Sequence, residues 1–389
     1  MRILHVITGL GSGGAENMLV NVVRALPAPR FEHVVVALTS GGAMRAAAAA
    51  AGARVIDFEL SRSVQVVRTL RRLGRIIADV APDVVQGWMY HANLAAALAA
   101  GGRPVVWNVR QTLNRLGDNK PLTAAVILAC VPLSGRAGRV IYNSALAARQ
   151  HERCGYPASK RLLIPNGFDL ARFRPSAAAG IALRAALGLP AEALVVGRVA
   201  RNAAMKDHAT LFAAFARILA ALPAAQLVCV GHGMTAEAPE LRALIAAHGL
   251  GAHVHLLGER RDVADLTAGF DIALSSSAHT EGFANVIGEA MACGVPAIAT
   301  DVGEASDIIG DPSRVVAPGN AAALAAPAIA LLRLPASERQ AIGQADRARI
   351  ADRYALTAIA ERYAACWDEA AHGPARPAAT DADCAASPS

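Results

Sequence analysis

Short runs of β-branched and aliphatic residues alternate with longer amphipathic segments along most of the chain. Apolar runs at residues 2–8, 32–38, 54–58, 83–86, 104–109, 139–142 and 161–164 predict a first set of strands. Between them, apolar residues recur every three to four positions in segments such as 15–26, 64–78, 93–100 and 144–154, which predicts helices. A second round starts near 194–199 and runs through 226–230, 253–256, 272–275, 297–299 and 314–316, with three helical segments from 321 to about 371. Strands this short, alternating with helices, predict parallel sheets with crossover helices. Pro165-Asn166-Gly167 is turn chemistry and, with Pro175, marks the break between the rounds. The fold class is therefore α/β, with two doubly wound, Rossmann-like domains whose carboxyl strand ends face a common cleft, where such sheets bind ligands.

Composition narrows the class. At 389 residues the chain exceeds the ~250–300 at which a single core stops growing. With 54% hydrophobic and 18% charged residues it is not a disordered chain. No apolar run reaches the ~18 residues of a membrane span, and the strand-like start gives no expectation of a signal peptide. The alanine tract 46–51 is helix-prone. Cysteines at 130, 154, 229, 293, 366 and 384 form no Cys-x-x-Cys pair, so a disulfide framework or zinc site is not expected and a reducing cytoplasm fits. Net charge is +7 but uneven: residues 1–175 hold 22 Lys/Arg against 9 Asp/Glu, and residues 176–389 hold 16 against 22. The basic half points to a polyanion or an anionic surface.

Candidate chemistry lies in strand-to-helix loops. Gly9, Gly11, Gly13 and Gly14 follow the first strand, where glycine permits positive φ and close approach of a ligand. The run carries an extra glycine, Gly13, within the G-x-G-x-x-G spacing, and no acid ends the second strand, which argues against a dinucleotide site; a packing turn is the plain alternative. Arg201 and Lys206 share the loop after strand 194–199, either as exposed surface cations or as the positive charge a diphosphate leaving group needs. Glu281 and Glu289 bracket a loop entering a helix. Backbone N–H groups from Phe283 through Ala284 and Asn285 would face phosphate or sugar oxygens, Glu281 sugar hydroxyls, and Glu289 a ribose diol. The alternative makes Glu281 a helix-start acid and Glu289 a solvated one.

The E-x7-E spacing of Glu281 and Glu289, followed by Ala290-Met291-Ala292-Cys293-Gly294-Val295-Pro296, resembles the family-4 retaining glycosyltransferases of GT-B fold. Also in the expected order are Gly11-Ser12-Gly13-Gly14-Ala15-Glu16, Ile164-Pro165-Asn166-Gly167-Phe168-Asp169, Val199-Ala200-Arg201 with Lys206-Asp207, and Thr300-Asp301-Val302-Gly303. The likeness spans roughly residues 1–370. It implies an acceptor domain over 1–175, a nucleotide-sugar donor domain over 176–355, a helix at 356–371 packing back on the first domain, and a disordered tail at 372–389.

It further implies that Arg201 and Lys206 hold the donor diphosphate, that Glu281, Gly282, Phe283, Ala284 and Asn285 contact the donor, and that Glu289 binds its ribose. Gly13 and Gly14 close over the phosphates. His91, before the helix that follows strand 83–86, stands near the reacting centre or is merely a helix-start residue. Arg110 is an acceptor-side or a structural arginine. The implied reaction needs no enzymic nucleophile, no cofactor and no metal, since the only Asp-x-Asp is Asp381-Ala382-Asp383 in the tail. One departure stands out: Lys206 is followed by Asp207, where many members have glycine.

Arg62, Arg68, Arg71, Arg72 and Arg75 flank Val64, Val67, Leu70, Leu73, Ile76 and Ile77 on a basic amphipathic helix, which either packs on the sheet or meets an anionic bilayer. With the apolar stretch 121–133 and the basic half, it predicts peripheral association with the inner face of the cytoplasmic membrane and a lipid-linked or growing glycan acceptor. Few aromatics and no recognition motif argue against nucleic acid. A non-catalytic nucleotide-sugar-binding protein or a sugar-nucleotide epimerase are the alternatives. A pyridoxal-phosphate phosphorylase is not suggested, with lysines only at 120, 160 and 206.

Overall fold

The computed structural model describes residues 1–58, 66–279 and 281–373. The first sheet contains β1 (Arg2–Ile7), β2 (Glu32–Ala37), β3 (Arg54–Asp57), β4 (Val84–Trp88), β5 (Val105–Val109), β6 (Arg139–Tyr142) and β7 (Arg161–Leu163), in the order β3-β2-β1-β4-β5-β6-β7. The second contains β8 (Leu194–Val199), β9 (Ala225–Val230), β10 (Val254–Leu256), β11 (Ile272–Ser275), β12 (Ala297–Thr300) and β13 (Val315–Val316), in the order β10-β9-β8-β11-β12-β13. All pairings within both sheets are parallel. The strands expected from the sequence are therefore present, with shifts of one or two residues at their ends. Runs such as Leu4, Val6, Val34 and Val36 are buried because helices cover both faces of each sheet.

Each sheet has one point where strand order reverses, between β1 and β4 and between β8 and β11. Loops leaving neighbouring strands diverge there to opposite faces and open a crevice at the carboxyl ends. Helix Leu356–His372 packs Leu356, Ile359, Tyr363 and Trp367 against Ile3, Ile7, Val20 and Val23 of the first sheet and its helix Gly14–Ala25. The chain thus passes between the sheets twice. Phe168 N–H donates to the Tyr354 carbonyl at 2.8 Å, and Leu356 N–H donates to the Phe168 carbonyl at 2.9 Å.

Pro165-Asn166-Gly167 is an extended crossing segment rather than a turn, and Gly167 has no positive φ. Glycine is needed for closeness, since a Cβ there would lie 2.8 Å from Leu356 Cα.

The basic helix spans Val66–Val80 and buries Leu73, Ile77 and Val80. Val67, expected on its buried face, is 60% exposed, and Val66 is 72% exposed. Arg62 and Val64 lie outside the described residues, as do Asp381, Asp383, Cys384 and the rest of the tail beyond 373. The alanine tract forms helix Arg45–Ala50 and the apolar stretch helix Pro121–Ser134. Among the described residues no single helix is long and apolar enough to cross a membrane.

Candidate active site

Four loops meet where the two reversal points face each other. Behind β1, helix Gly14–Ala25 starts from Gly13, whose φ is −82°. None of Gly9, Gly11, Gly13 and Gly14 takes a positive φ, so of the two expected uses the conformational one is not observed, and the lack of a side chain matters for space. A Cβ on Gly9 would lie 2.6 Å from Thr39 Oγ1, and one on Gly13 would lie 2.5 Å from Glu16 Oε2. A Cβ on Gly14 would meet only Asn285 Nδ2 of the opposite domain, 3.9 Å away.

Behind β8, Lys206 ends a short turn and Asp207 follows at φ +47°, the left-handed conformation that glycine ordinarily supplies. The sequence departure thus has a structural answer. The Asp207 carboxylate caps helix His208–Ala221, accepting from Thr210 N–H at 3.0 Å and from Thr210 Oγ1 at 2.6 Å, which offsets the strain. Arg201 is exposed and lines the cleft.

Behind β11, Glu281 accepts a charge-assisted hydrogen bond from Lys206 Nζ and a second, on the same oxygen, from Ser277 Oγ at 2.9 Å. The two charged side chains are 17% and 13% exposed. Burial lowers the Lys206 pKa, and the Glu281 carboxylate counters that. Gly303, at φ +67°, backs this residue: a Cβ there would lie 2.4 Å from the Glu281 carbonyl. Gly282 abuts the other domain, where a Cβ would lie 3.3 Å from Asn143 Nδ2 and 3.4 Å from the Arg110 carbonyl. The Phe283 side chain is buried, stacked with Phe168 and edge-on to Tyr354, so only its backbone can serve a ligand.

Helix Asn285–Ala292 then begins at Ala284 with no side-chain cap among the described residues, which leaves first-turn N–H groups for a ligand. Its Gly288 admits the Phe168 ring, which a Cβ would approach to 2.1 Å. One turn on, burial pushes the Glu289 carboxyl up to about 7, with Arg172 acting in the opposite sense.

Behind β5, Arg110 is buried and held by neutral groups. It donates from Nη1 to Tyr363 Oη at 2.7 Å and to Asn108 Oδ1 at 3.2 Å, and from Nη2 to Asn166 Oδ1. Asn166 Nδ2 in turn donates to Asn285 Oδ1, so one chain of hydrogen bonds links the returning helix, the crossing segment and the E-x7-E helix. His91 is half-buried on helix Tyr90–Ala99, and burial lowers its pKa.

These loops enclose a cavity of about 670 Å³. Of the residues singled out in the sequence, Gly13, Gly14, Arg110, Arg201, Lys206, Glu281, Gly282, Phe283, Asn285 and Glu289 line it. Ala284 is buried behind it, and His91 is not among the lining residues. A second cavity of about 370 Å³ adjoins it past Glu289, reaching Arg172, Arg260 and Val263. Among the described residues, no group of three or more His, Cys, Asp or Glu side chains is placed to hold a metal ion.

Two family descriptions match this chain, "Glycosyltransferase Family 4" over residues 12–172 and "Glycosyl transferases group 1" over residues 190–333. It is 32% identical over 311 residues to the D-inositol 3-phosphate glycosyltransferase of Geodermatophilus obscurus, covering 74% of this chain and 67% of that one. The chain belongs to the family-4 glycosyltransferases. EpsF of Bacillus subtilis is 27% identical to this glycosyltransferase over 320 residues, covering 77% of this chain and 79% of that one. Crystal structures of Anabaena HepE with UDP and with UDP-glucose superpose with TM-scores of 0.82 and 0.81, at 25% and 26% identity, each covering 94% of this chain and 98% of that one. The GT-B architecture of the glycosyltransferase is thus shown.

Sequence reasoning missed several residues at this site. Asn166 was placed in a turn and in a family motif but given no role at the site, and Ser277 was not singled out. Their signal was position, since both follow strands that lead to the cleft. Gln111 and Asn143, which line the cavity from the first domain, carry no motif.

Proposed function

We propose that this glycosyltransferase moves a hexose-type sugar from a nucleoside-diphosphate sugar to an acceptor hydroxyl, with retention of anomeric configuration. The reading is carried by one observation: Arg201, Lys206, Glu281 and an uncapped helix N-terminus converge on a single cavity. Cations and backbone N–H groups suit a diphosphate; Glu281 suits sugar hydroxyls; Glu289, beside the adjoining cavity, suits a ribose diol. The UDP and UDP-glucose bound by Anabaena HepE support a uridine donor.

In the reaction, the bond from the anomeric carbon to the phosphate oxygen breaks. The acceptor oxygen bonds to that carbon on the same face, and its proton passes to the leaving phosphate. Arg201 and Lys206 take up the developing negative charge in place of a metal. His91, at the start of helix Tyr90–Ala99 and outside the cavity lining, keeps the role of donating to the donor sugar or orienting the acceptor as part of this proposal.

The acceptor is a lipid-linked or growing cell-surface glycan, met at the inner face of the cytoplasmic membrane. Helices Val66–Val80, Tyr90–Ala99 and Pro121–Ser134 pack side by side. Val66, Val67 and Leu122 are exposed at helix starts, on the carboxyl edge of the sheet that faces the cleft. Arg68, Arg71, Arg72 and Arg75 are exposed beside them, which suits an anionic bilayer.

A screen of UDP, GDP and ADP by thermal shift, with and without magnesium, tests the donor site. A nucleotide at 100 times its Kd adds ~2.7 kcal/mol of stability. One nucleotide hit, lost in Glu289→Ala, is the expected result. No hit under either condition would bring the binding-protein reading of the fold to the front.

A further inference from the structure

Four arginines are almost fully buried, and they fall into two kinds. Arg314 pairs with Asp346 and Asp311, and Arg339 with Asp271. Arg110 and Arg198 form no ion pair among the described residues, and both stand next to the cleft. Arg198 is the more extreme. It is 1% exposed within β8, two residues before the loop that carries Arg201 and Lys206. Its Nη1 donates to the Leu274 carbonyl at 3.3 Å and its Nη2 to the Lys206 carbonyl at 3.0 Å, while Nε has no partner among the described residues.

A guanidinium without a counterion is costly in a protein interior, and an apolar side chain would suit the middle of a strand better. Burial lowers its pKa to about 10, so it stays charged at neutral pH. Hydrogen bonding alone does not account for it. Ser276 Oγ already braces the same turn without charge, donating to the Lys206 carbonyl at 2.9 Å and the Asp207 carbonyl at 3.1 Å. Charge near the loop is also unbalanced. Arg198, Arg201 and Lys206 stand against two carboxylates, Glu281 and Asp207, which both raise the Arg198 pKa but hydrogen-bond Lys206 and Thr210 instead, so one positive charge is left over. The missing counter-charge belongs in the cavity above.

We propose that Arg198 is a positioning residue of the donor-diphosphate site, holding the Lys206 carbonyl from below and supplying a buried positive charge that the bound diphosphate neutralises. This rests on the donor site assigned above. It adds a residue that does not touch the ligand and acts through the protein interior, where a charge several ångströms away is weakly screened.

Calorimetric titration of uridine, UMP and UDP into wild type, Arg198→Met, Arg198→Lys and Ser276→Ala tests it. In Arg198→Met, UDP affinity should fall about tenfold, as expected for one charge acting at that range. UMP should lose less, and uridine nothing. Arg198→Lys, which restores the charge with poorer hydrogen bonding, should recover most of the UDP affinity. Ser276→Ala, which removes a brace but no charge, should stay within about threefold of wild type for all three ligands. Should the methionine variant not fold, Arg198→Gln keeps donors without charge and should show the same loss graded by phosphate number.

Wild-type UDP affinity in the folded uncharged variant would overturn the inference while leaving the donor site standing. So would an equal loss for uridine and UDP, or a lysine variant as weak as the uncharged one. Absence of UDP binding by the wild type would overturn the donor site and this inference together.

Discussion

In this structure Glu281 and Lys206, the two groups assigned to opposite parts of the donor, hold each other. Lys206 cannot give full attention to a diphosphate while Glu281 shares its ammonium. Replacing Glu281 with alanine leaves the ammonium half-buried beside Arg198 and Arg201, both of which lower its pKa, with no carboxylate to offset them. Hydrogen bonds between charged groups contribute ~1.5–3 kcal/mol, and these side chains are mostly shielded from water. If about half of that is given up when a diphosphate arrives, removing Glu281 in advance should tighten UDP binding by ~1 kcal/mol, or about fivefold. Transfer should be lost, because the sugar has lost the acceptor of its hydroxyl hydrogen bonds. Calorimetry with UDP and a transfer assay on the same preparations read both effects. Weaker UDP binding in Glu281→Ala would refute the competition argument. Undiminished transfer would remove Glu281 from the site.

Three further outcomes are expected. UDP affinity should rise about tenfold between pH 6 and 8, because Glu289 titrates near 7 and only its carboxylate can accept from both ribose hydroxyls; Glu289→Gln should flatten that part of the profile. Asp207→Ala should cost about 1–2 kcal/mol in urea unfolding, losing the cap while keeping the left-handed backbone, whereas Asp207→Gly relieves the strain and should stay within about 1 kcal/mol of wild type.

Buried His151 donates from Nδ1 to the Ala147 carbonyl, accepts at Nε2 from Tyr90 Oη, and has its pKa lowered to about 4. Its unfolded value is near 6.5, so its contribution is complete above that pH and lost as pH falls toward 4. The stability gap between wild type and His151→Gln should therefore shrink by roughly 2 kcal/mol from pH 7 to 5, and an unchanged gap would show that the histidine does not titrate differently on folding.

Much of the architecture was legible because it depends on local pattern. The stretches 34–38 and 227–230 are continuous apolar runs, which only a sheet covered on both faces can bury, and the alternation with helices dictates parallel pairing. The chemistry of the site was legible where it is written in residue type and spacing, as for Arg201 with Lys206 and Glu281 with Glu289. What glycine does was legible only as a need for glycine. Gly167 looked like a turn residue, yet it serves close packing against Leu356, and Asp207 took the left-handed position where a glycine was missed.

Distances between elements far apart in the chain decided the rest. The pairing of Lys206 with Glu281, the chain from Tyr363 through Arg110 and Asn166 to Asn285, and the solitary charge of Arg198 each join segments 56 to 253 residues apart or depend on which partners failed to arrive. Sequence pattern determined which side chains this glycosyltransferase could bring to its cleft. Tertiary structure alone decided which of them meet and which charges stay unpaired, because counterions and close contacts are properties of the space around a residue rather than of its neighbours in the chain.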